Sequence, residues 1–235
     1  QRFDAVVVQR EAALLGPPLF EVLSAHRVPV IFDFDDAIFI PTQKTKQTSA
    51  NGRLAALLKD PNKAQKIAAV ASEIVVANNF ARDWAAAFTE HVTVIPTVVD
   101  AEVFCPLDAG NDKPVIGWIG SHSAAPQLEE IFPVFEKLAR EHDFTLRIVG
   151  AGKDYEIPGV HVDNRSWNLE REVHDFRSLD IGVCPLFEDE WSSGKPGFKP
   201  HIYMACGLPQ VSTPLGGVCG FLKHKENGFF AHGHA

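Results

Sequence analysis

Val115-Ile116-Gly117-Trp118-Ile119 is an unbroken apolar run; it is followed by a stretch carrying Leu128, Ile131, Phe132, Phe135, Leu138 and Ala139, and then by Thr145-Leu146-Arg147-Ile148-Val149. The short runs lack polar alternation, so each predicts a strand buried on both faces, while the middle stretch has the spacing of a helix that lays an apolar stripe on a sheet. Its other face, with Glu129, Glu130, Glu136, Lys137 and Arg140, reads as solvated. Strand, crossover helix and strand in that order predict a parallel sheet, and the fold class is therefore α/β.

The same rhythm runs in both directions from this unit. Upstream, strands are predicted at Ala5–Val8, Val28–Asp33, Glu73–Ala77 and Val92–Pro96, with helices near Glu11–His26, Asn51–Ala71 and Phe80–Glu90. Downstream, strands at Val160–Val162, Ile181–Pro185 and Gln210–Thr213 alternate with helices near Leu169–Leu179 and Phe198–Cys206; the first helix of this half spans about Ala125–His142. Val98–Lys113, with Pro106, Gly110, Asn111 and Asp112, has the turn-rich composition of a linker. Two Rossmann-like parallel-sheet domains are expected, with boundaries at 1–105 and 106–235, and no internal repeat joins them. Such sheets bind ligands at their strand C-termini, so a site in a cleft between facing edges is the expectation.

Length and composition narrow the function. The 235 residues, 46% hydrophobic and 22% charged, suffice for a buried core and exclude a disordered chain, and no apolar run reaches the ~18–20 residues of a membrane span. The net charge of −8 supplies no cationic field for nucleic acid or anionic lipid. Cys105, Cys184, Cys206 and Cys219 form no CxxC pair and share no local spacing with histidines, so neither a zinc site nor a disulfide framework is indicated and a reducing compartment is expected. The chain starts within a strand, without an initiator Met or a charged leader, and stops soon after Asn227-Gly228; it is expected to be a piece of a longer protein.

The strongest chemical signal is Gly194-Lys195-Pro196-Gly197-Phe198-Lys199, followed by Ile202-Tyr203-Met204-Ala205-Cys206-Gly207-Leu208-Pro209-Gln210-Val211. A glycine-containing loop opening a helix presents unbonded backbone N–H groups and the positive end of the helix dipole, and a lysine adds a full charge, which together suit a diphosphate. Solvated lysines at an ordinary helix start are the competing reading. His122, in a loop with Ser121 and Ser123, has the donors for a phosphate or a sugar hydroxyl; a plain exposed histidine is the alternative. Asn78 and Asn79, between a strand and Phe80, suit an N-cap.

Taken with Gly117-Trp118-Ile119-Gly120-Ser121, Ile148-Val149-Gly150-Ala151-Gly152, Leu179-Asp180-Ile181-Gly182-Val183-Cys184-Pro185-Leu186 and Glu226-Asn227-Gly228-Phe229, this segment resembles the donor half of a GT-B glycosyltransferase of family 4, over nearly all of residues 113–231. The resemblance implies a metal-independent, retaining hexosyltransferase-like enzyme with no cofactor, whose nucleotide diphosphate sugar is a substrate. It assigns residues 106–235 to donor binding and residues 1–105 to the acceptor side, including Val7-Val8-Gln9-Arg10-Glu11 and Phe32-Asp33-Phe34-Asp35-Asp36-Ala37, and leaves the first domain incomplete, without an opening β-α-β unit or a closing helix. Gly120, Ser121, Lys195, Gly197, Phe198, Lys199 and Trp167 are the expected donor-binding residues, Asp35, Asp36 and His122 the catalytic ones, and no metal site is expected. The Arg165-Ser166-Trp167-Asn168 loop is placed near the base. The expected acceptor is a sugar or a lipid-linked glycan, the expected location cytoplasmic or peripheral to a membrane in a longer protein, and self-association through the incomplete sheet is anticipated.

Two departures qualify that resemblance. Many members carry two glutamates flanking this loop, one facing the donor sugar and one the ribose, where this chain has Pro196, or Lys195, and Ile202; none of these is a carboxylate. The basic residues that other members place after the first strand of this domain have no counterpart in Ser121-His122-Ser123-Ala124-Ala125-Pro126, so backbone amides after Gly120 and the His122 side chain must substitute. A binding module without turnover and a nucleotide-sugar epimerase on the same fold follow as alternatives. A rival of another class is the haloacid dehalogenase-type phosphohydrolase, whose first motif Val30-Ile31-Phe32-Asp33-Phe34-Asp35 resembles, with Glu188-Asp189-Glu190 and Lys195 as its candidate partners.

Overall fold

The computed structural model describes residues 3–40, 60–107 and 110–232. The chain divides into two compact units, one made of Gln1–Thr97 with Asp189–Pro196 and the other of Val98–Glu188 with Gly197–Ala235.

The first unit holds a four-stranded sheet of β1 (Val6–Gln9), β2 (Val30–Phe34), β3 (Glu73–Val76) and β4 (Val92–Val94) in that order, every neighbouring pair parallel. Its described helices are α1 (Leu19–Ala25), α2 (Lys63–Ala68) and α3 (Asn79–Ala85). α1 begins eight residues later than the periodicity predicts. Pro17 and Pro18 have no N–H to give to the carbonyls of residues 13 and 14, and a residue before proline is driven out of the helical region. The Glu11–Leu15 stretch is tied down by side chains instead: the Ala12 N–H donates to Glu21 at 2.9 Å and the Lys63 ammonium donates to the Ala13 carbonyl at 2.5 Å. The helix predicted over Asn51–Ala71 is present as α2 at Lys63–Ala68, and residues 51–59 lie outside the described ones. The core gathers Phe32, Phe34, Phe39, Ile67, Ile74 and Ala85, with the Phe39 and Trp84 rings stacked 4.3 Å apart.

Residues 189–196 return to this first unit and include a short helix at Glu190–Ser193. Trp191 packs against the first core, and a Cβ on Gly194 would lie 2.3 Å from that of Ala37, so only glycine allows this approach. Asn78 caps α3, its carbonyl oxygen accepting the Ala81 N–H at 2.9 Å, while its amide donates to the carbonyls of Gly194 at 2.9 Å and Lys195 at 3.3 Å. One buried side chain thus both starts a helix and holds the returning segment.

The second unit holds a six-stranded sheet in which every registered pair is parallel, in the order β10-β9-β8-β5-β6-β7. The strands are β5 (Val115–Ile119), β6 (Thr145–Val149), β7 (His161–Arg165), β8 (Ile181–Cys184), β9 (Gln210–Ser212) and β10 (Phe229–Phe230). In chain order its helices and the returning one are α4 (Ala125–Glu129), α5 (Phe132–Leu138), α6 (Glu172–Arg177), α7 (Glu190–Ser193, in the first unit) and α8 (Phe198–Ala205), with a 3₁₀ turn at Gly216–Gly220. All five residues of β5 are buried and alternate between two cores. Ile116 and Trp118 join Leu128, Phe135 and Leu146 on one face, while Val115 and Ile119 join Phe176, Leu179 and Tyr203 on the other.

The helix predicted over Ala125–His142 is broken into α4 and α5. Pro133, at the second position of α5, cannot donate to the Glu129 carbonyl, and the break falls before it. The predicted apolar stripe still faces the core through Leu128 and Phe135, whereas Glu129 is not merely solvated: it accepts the Tyr155 hydroxyl at 2.6 Å and pairs with Lys153 at 2.9 Å. The Val98–Lys113 stretch, read as linker, sends Val99 and Phe104 against the second core. Among the described residues no helix is long and apolar enough to cross a membrane.

Replacing Asn78 with Ala removes a cap and strands the Gly194 carbonyl, and the expected loss is about 2–3 kcal/mol in urea unfolding. Asn78→Asp keeps the capping oxygen without the donors and is expected to lose about half as much. An Ala variant within ~0.5 kcal/mol of the parent would show that this side chain does not hold the returning segment.

Candidate functional site

Three of the second unit's strands, β5, β6 and β7, end at one edge, and a cavity of about 380 Å³ opens there. Its floor is backbone. The Gly120 N–H donates to Val149 at 3.0 Å and the Gly150 N–H to Arg165 at 2.9 Å, extending the ladder one residue beyond the strands. A Cβ on Gly150 would sit 2.2 Å from the Gly120 carbonyl oxygen, and its φ of +81° is a conformation that glycine alone adopts cheaply. A Cβ on Gly120 would strike the Trp118 ring at 2.5 Å and the Lys199 ammonium at 2.9 Å.

Lys199 is the second residue of α8, a helix that opens on Gly197 in the left-handed region (φ +82°) with no side-chain cap. The first amides of such a helix have no partner within it. The Lys199 ammonium lies 4.8 Å from the centroid of the Trp118 ring, a cation–π contact that restrains it beside the floor. Ser121 and His122 line the cavity after β5, with the Ser121 and Ser123 hydroxyls 2.8 Å apart. On the far wall, half-exposed Trp167 donates its indole N–H to Glu172 at 3.1 Å, and Ile119, Phe176 and Phe198 supply apolar lining. Among the described residues that line it, one ammonium, one carboxylate and one imidazole share the cavity with apolar and backbone surface, an arrangement that suits a ligand with an anionic part and a flat or hydroxylated part.

The Trp167–Glu172 wall is fixed from behind. Asp175, fully buried on α6, pairs with Arg165 at 2.9 Å; Arg165 and Arg147 both reach Asp163 at 2.8 Å; and Arg147 also donates to the Ser178 hydroxyl at 2.6 Å. Burial pushes the Asp163 carboxyl upward, but its bonds to Arg165 and Arg147 outweigh it and hold the group below the usual carboxylate value.

Of the residues expected to bind the donor or act in catalysis, Gly120, Ser121, His122, Trp167, Phe198 and Lys199 are brought together here. Gly197 stands one step back as the cap of α8, where a Cβ would meet the Val218 amide at 3.0 Å. Lys195 belongs to the first unit, 3.5 Å from Asp36, which Arg10 approaches at 3.7 Å. Asp35 and Asp36 follow β2 in that unit. Ile202, at one of the two expected glutamate positions, is 1% exposed within the core. Glu172 and Phe176 were not anticipated; the sequence offers only that Glu172 opens a helix five residues after Trp167.

The model of the family described as glycosyl transferases group 1 matches residues 113–234, which contain the whole cavity. The chain belongs to that family. Its fold is GT-B-like, with two Rossmann-like parallel-sheet units. Among solved structures it is similar to sucrose-phosphate synthase from Thermosynechococcus elongatus, with 12% identity, a TM-score of 0.63 and coverage of 99% of this chain and 61% of that one. It is also similar to Anabaena HepE in complex with UDP and glucose, with 18% identity, a TM-score of 0.60 and coverage of 98% and 64%. A curated relative, N-acetyl-alpha-D-glucosaminyl L-malate synthase of Bacillus anthracis, is 23% identical over 116 residues, 47% of this chain and 30% of its own. The chain therefore spans less than two thirds of each of these proteins.

None of these comparisons supports the phosphohydrolase reading. Asp33, its would-be nucleophile, has its carboxyl pushed up by burial and by neighbouring Asp35, and among the described residues no group of three or more His, Cys, Asp and Glu side chains could hold a metal ion. Lys195 does meet an aspartate, but it is Asp36 and not Asp33.

Asp163 binds its proton more weakly folded than unfolded, so its stabilisation is complete above the unfolded value of about 4 and is lost as pH falls toward the lowered folded value. Asp163→Asn is expected to cost about 1–3 kcal/mol at pH 7, and progressively less below pH 4, in urea unfolding. A difference that stays constant down to pH 3 would deny the carboxylate this role.

Proposed function

We propose that this glycosyltransferase takes a sugar from a nucleoside diphosphate bound in the second unit's cavity and transfers it with retention, without a metal ion. The observation that carries the reading is the Lys199 ammonium held over Trp118 at the opening of α8, beside the backbone of residues 120–122. A cation and backbone amides converging on a partly enclosed cavity stabilise an anion far better than either does in open water. The HepE structures, one with UDP and glucose and another with UDP-glucose, support the choice of ligand class.

In this reading the diphosphate lies against Lys199 and the amides after Gly120, the base stacks on Trp167, and His122 donates to a phosphate or sugar oxygen. The bond between the sugar's anomeric carbon and the diphosphate breaks, leaving its electron pair on the terminal phosphate oxygen, where Lys199 and the amides neutralise the growing charge. An acceptor hydroxyl forms the new bond on the same face of the sugar and passes its proton to that oxygen. Asp35 and Asp36 are assigned to hydroxyls of the acceptor, a sugar or a lipid-linked glycan, and Lys195 to setting Asp36 in place.

A second reading has its own observation. Ile202 offers the ligand no carboxylate and is sealed in the core, which favours a module that binds the nucleotide sugar without transferring it.

Calorimetric titration of Lys199→Ala tests the first reading. Nucleoside diphosphate affinity is expected to fall about ten- to hundredfold, corresponding to the ~1.5–3 kcal/mol of a charged hydrogen bond, while the nucleoside alone binds nearly as before. Lys223→Ala, in the exposed Lys223-His224-Lys225 run, should alter neither. Equal losses for nucleoside and nucleoside diphosphate would indicate general damage, and no loss for either would remove Lys199 from the site.

A further inference from the structure

Lys199 can serve a ligand only if the first turn of α8 is held in place, and no side chain caps that turn. What holds it lies on the other side of the helix. Consecutive residues of an α-helix are about 100° apart, so residues two apart point to nearly opposite faces. Phe198 and Lys199 line the cavity, and His201 turns away from Lys199 onto Phe221, the two rings stacked with centroids 3.7 Å apart and planes 28° from parallel. The same Phe221 ring closes on the start of the helix, since a Cβ on Gly197 would lie 3.3 Å from its edge and 3.0 Å from the Val218 nitrogen.

Phe221 is itself fixed. It follows the 3₁₀ turn at Gly216–Gly220; its N–H donates to the Val218 carbonyl at 3.2 Å, and its own carbonyl accepts the Asn227 side-chain amide at 3.0 Å. Val218 and Leu222, both buried, root this platform. His201, by contrast, gains little from hydrogen bonding through its ring. Its Nδ1 is buried and makes no well-aligned hydrogen bond among the described residues. The Gly197 carbonyl only partly offsets burial, which pushes the imidazole below the usual histidine value and leaves the ring neutral at pH 7. A neutral ring with an unspent nitrogen is held by its face, so the contact that matters is the stack.

We propose that His201 is a positioning residue for the donor cavity: stacked on Phe221, it fixes the angle at which α8 opens and thereby sets the Lys199 ammonium against the diphosphate. This rests on the nucleotide reading given above. His201 lies outside the cavity lining and acts only through the helix. Loss of the stack therefore costs the phosphate contacts and spares the base, which that reading places on Trp167.

The test is calorimetric titration of the full chain with UDP, GDP and ADP, then of each variant with whichever binds tightest and with the matching nucleoside. His201→Leu fills a similar volume without a flat ring. Its affinity for the nucleoside diphosphate is expected to fall about three- to tenfold, the size of an aromatic pair's contribution, while the nucleoside binds as before. His201→Phe restores a flat ring and should bind within about twofold of the parent. Phe221→Leu removes the other half of the stack and should match His201→Leu, with the double variant losing no more than either, as for two residues that act as one unit. A His201→Leu protein that binds like the parent overturns the assignment; so does an equal loss for nucleoside and nucleoside diphosphate, or a His201→Phe protein as weak as His201→Leu. Should His201→Leu not fold, Phe221→Leu carries the same expectation and the same refutation. If none of the three nucleoside diphosphates binds the parent, the nucleotide reading itself fails and this assignment with it; binding that ignores the stack removes His201 alone.

Discussion

Room at the end of two neighbouring strands is the constraint on which the second unit's site depends. Gly120 and Gly150 terminate β5 and β6, and the structure has no space for a Cβ at either. Because both lack one, the Gly120 carbonyl packs against residue 150, the Trp118 ring reaches the sheet edge, and the Lys199 ammonium settles over that ring. Any side chain at residue 120 would force the ring or the ammonium aside, although the strands themselves could still form. The glycines thus matter less to the sheet than to the surface exposed at its end, and the loops that they allow carry the groups that could meet a ligand.

The parallel topology makes this single edge sufficient. Each crossover helix returns the chain to the same side, so loops distant in sequence, at residues 120–122, 150, 167–172 and 197–199, collect around one cavity. Rigidity comes from below. The Arg147, Asp163, Arg165 and Asp175 network ties β6 and β7 to α6, the element that presents Glu172. The first unit solves a related problem with one amide, since Asn78 caps α3 and also holds the carbonyls of the returning segment.

Much of this was legible because buried parallel strands have so plain a signature. Val115–Ile119 and Thr145–Val149 read directly as strands, as did Gln210–Thr213, observed over Gln210–Ser212, and the Leu128 to Ala139 stripe identified its packing face. The family resemblance, together with the glycine-rich strand ends and Lys199 at a helix start, marked six residues that line one cavity. Proline was underweighted: Pro17 and Pro18 shorten α1, and Pro133 divides α4 from α5, despite apolar spacing that continues through both. The return of residues 189–196 left no periodic trace, because four helical residues are too few for one and the decisive contacts, Trp191 on the first core and Asn78 to Gly194, span more than a hundred residues. Lys195 and Lys199 look equivalent in sequence, four residues apart, yet they fall in different units. Glu172 escaped notice because its meaning lies in the wall it shares with Trp167.

The central claim is that the edge of the second sheet holds a nucleoside diphosphate with its phosphates toward α8. The most direct measurement is a crystal structure of the chain with UDP, GDP or ADP, chosen by binding. The account predicts phosphate oxygens within about 3 Å of the Lys199 ammonium and of backbone amides in residues 120–122, the distance of charge-assisted hydrogen bonds. A nucleotide bound elsewhere, or one in this cavity with its phosphates turned away from Lys199, would contradict it.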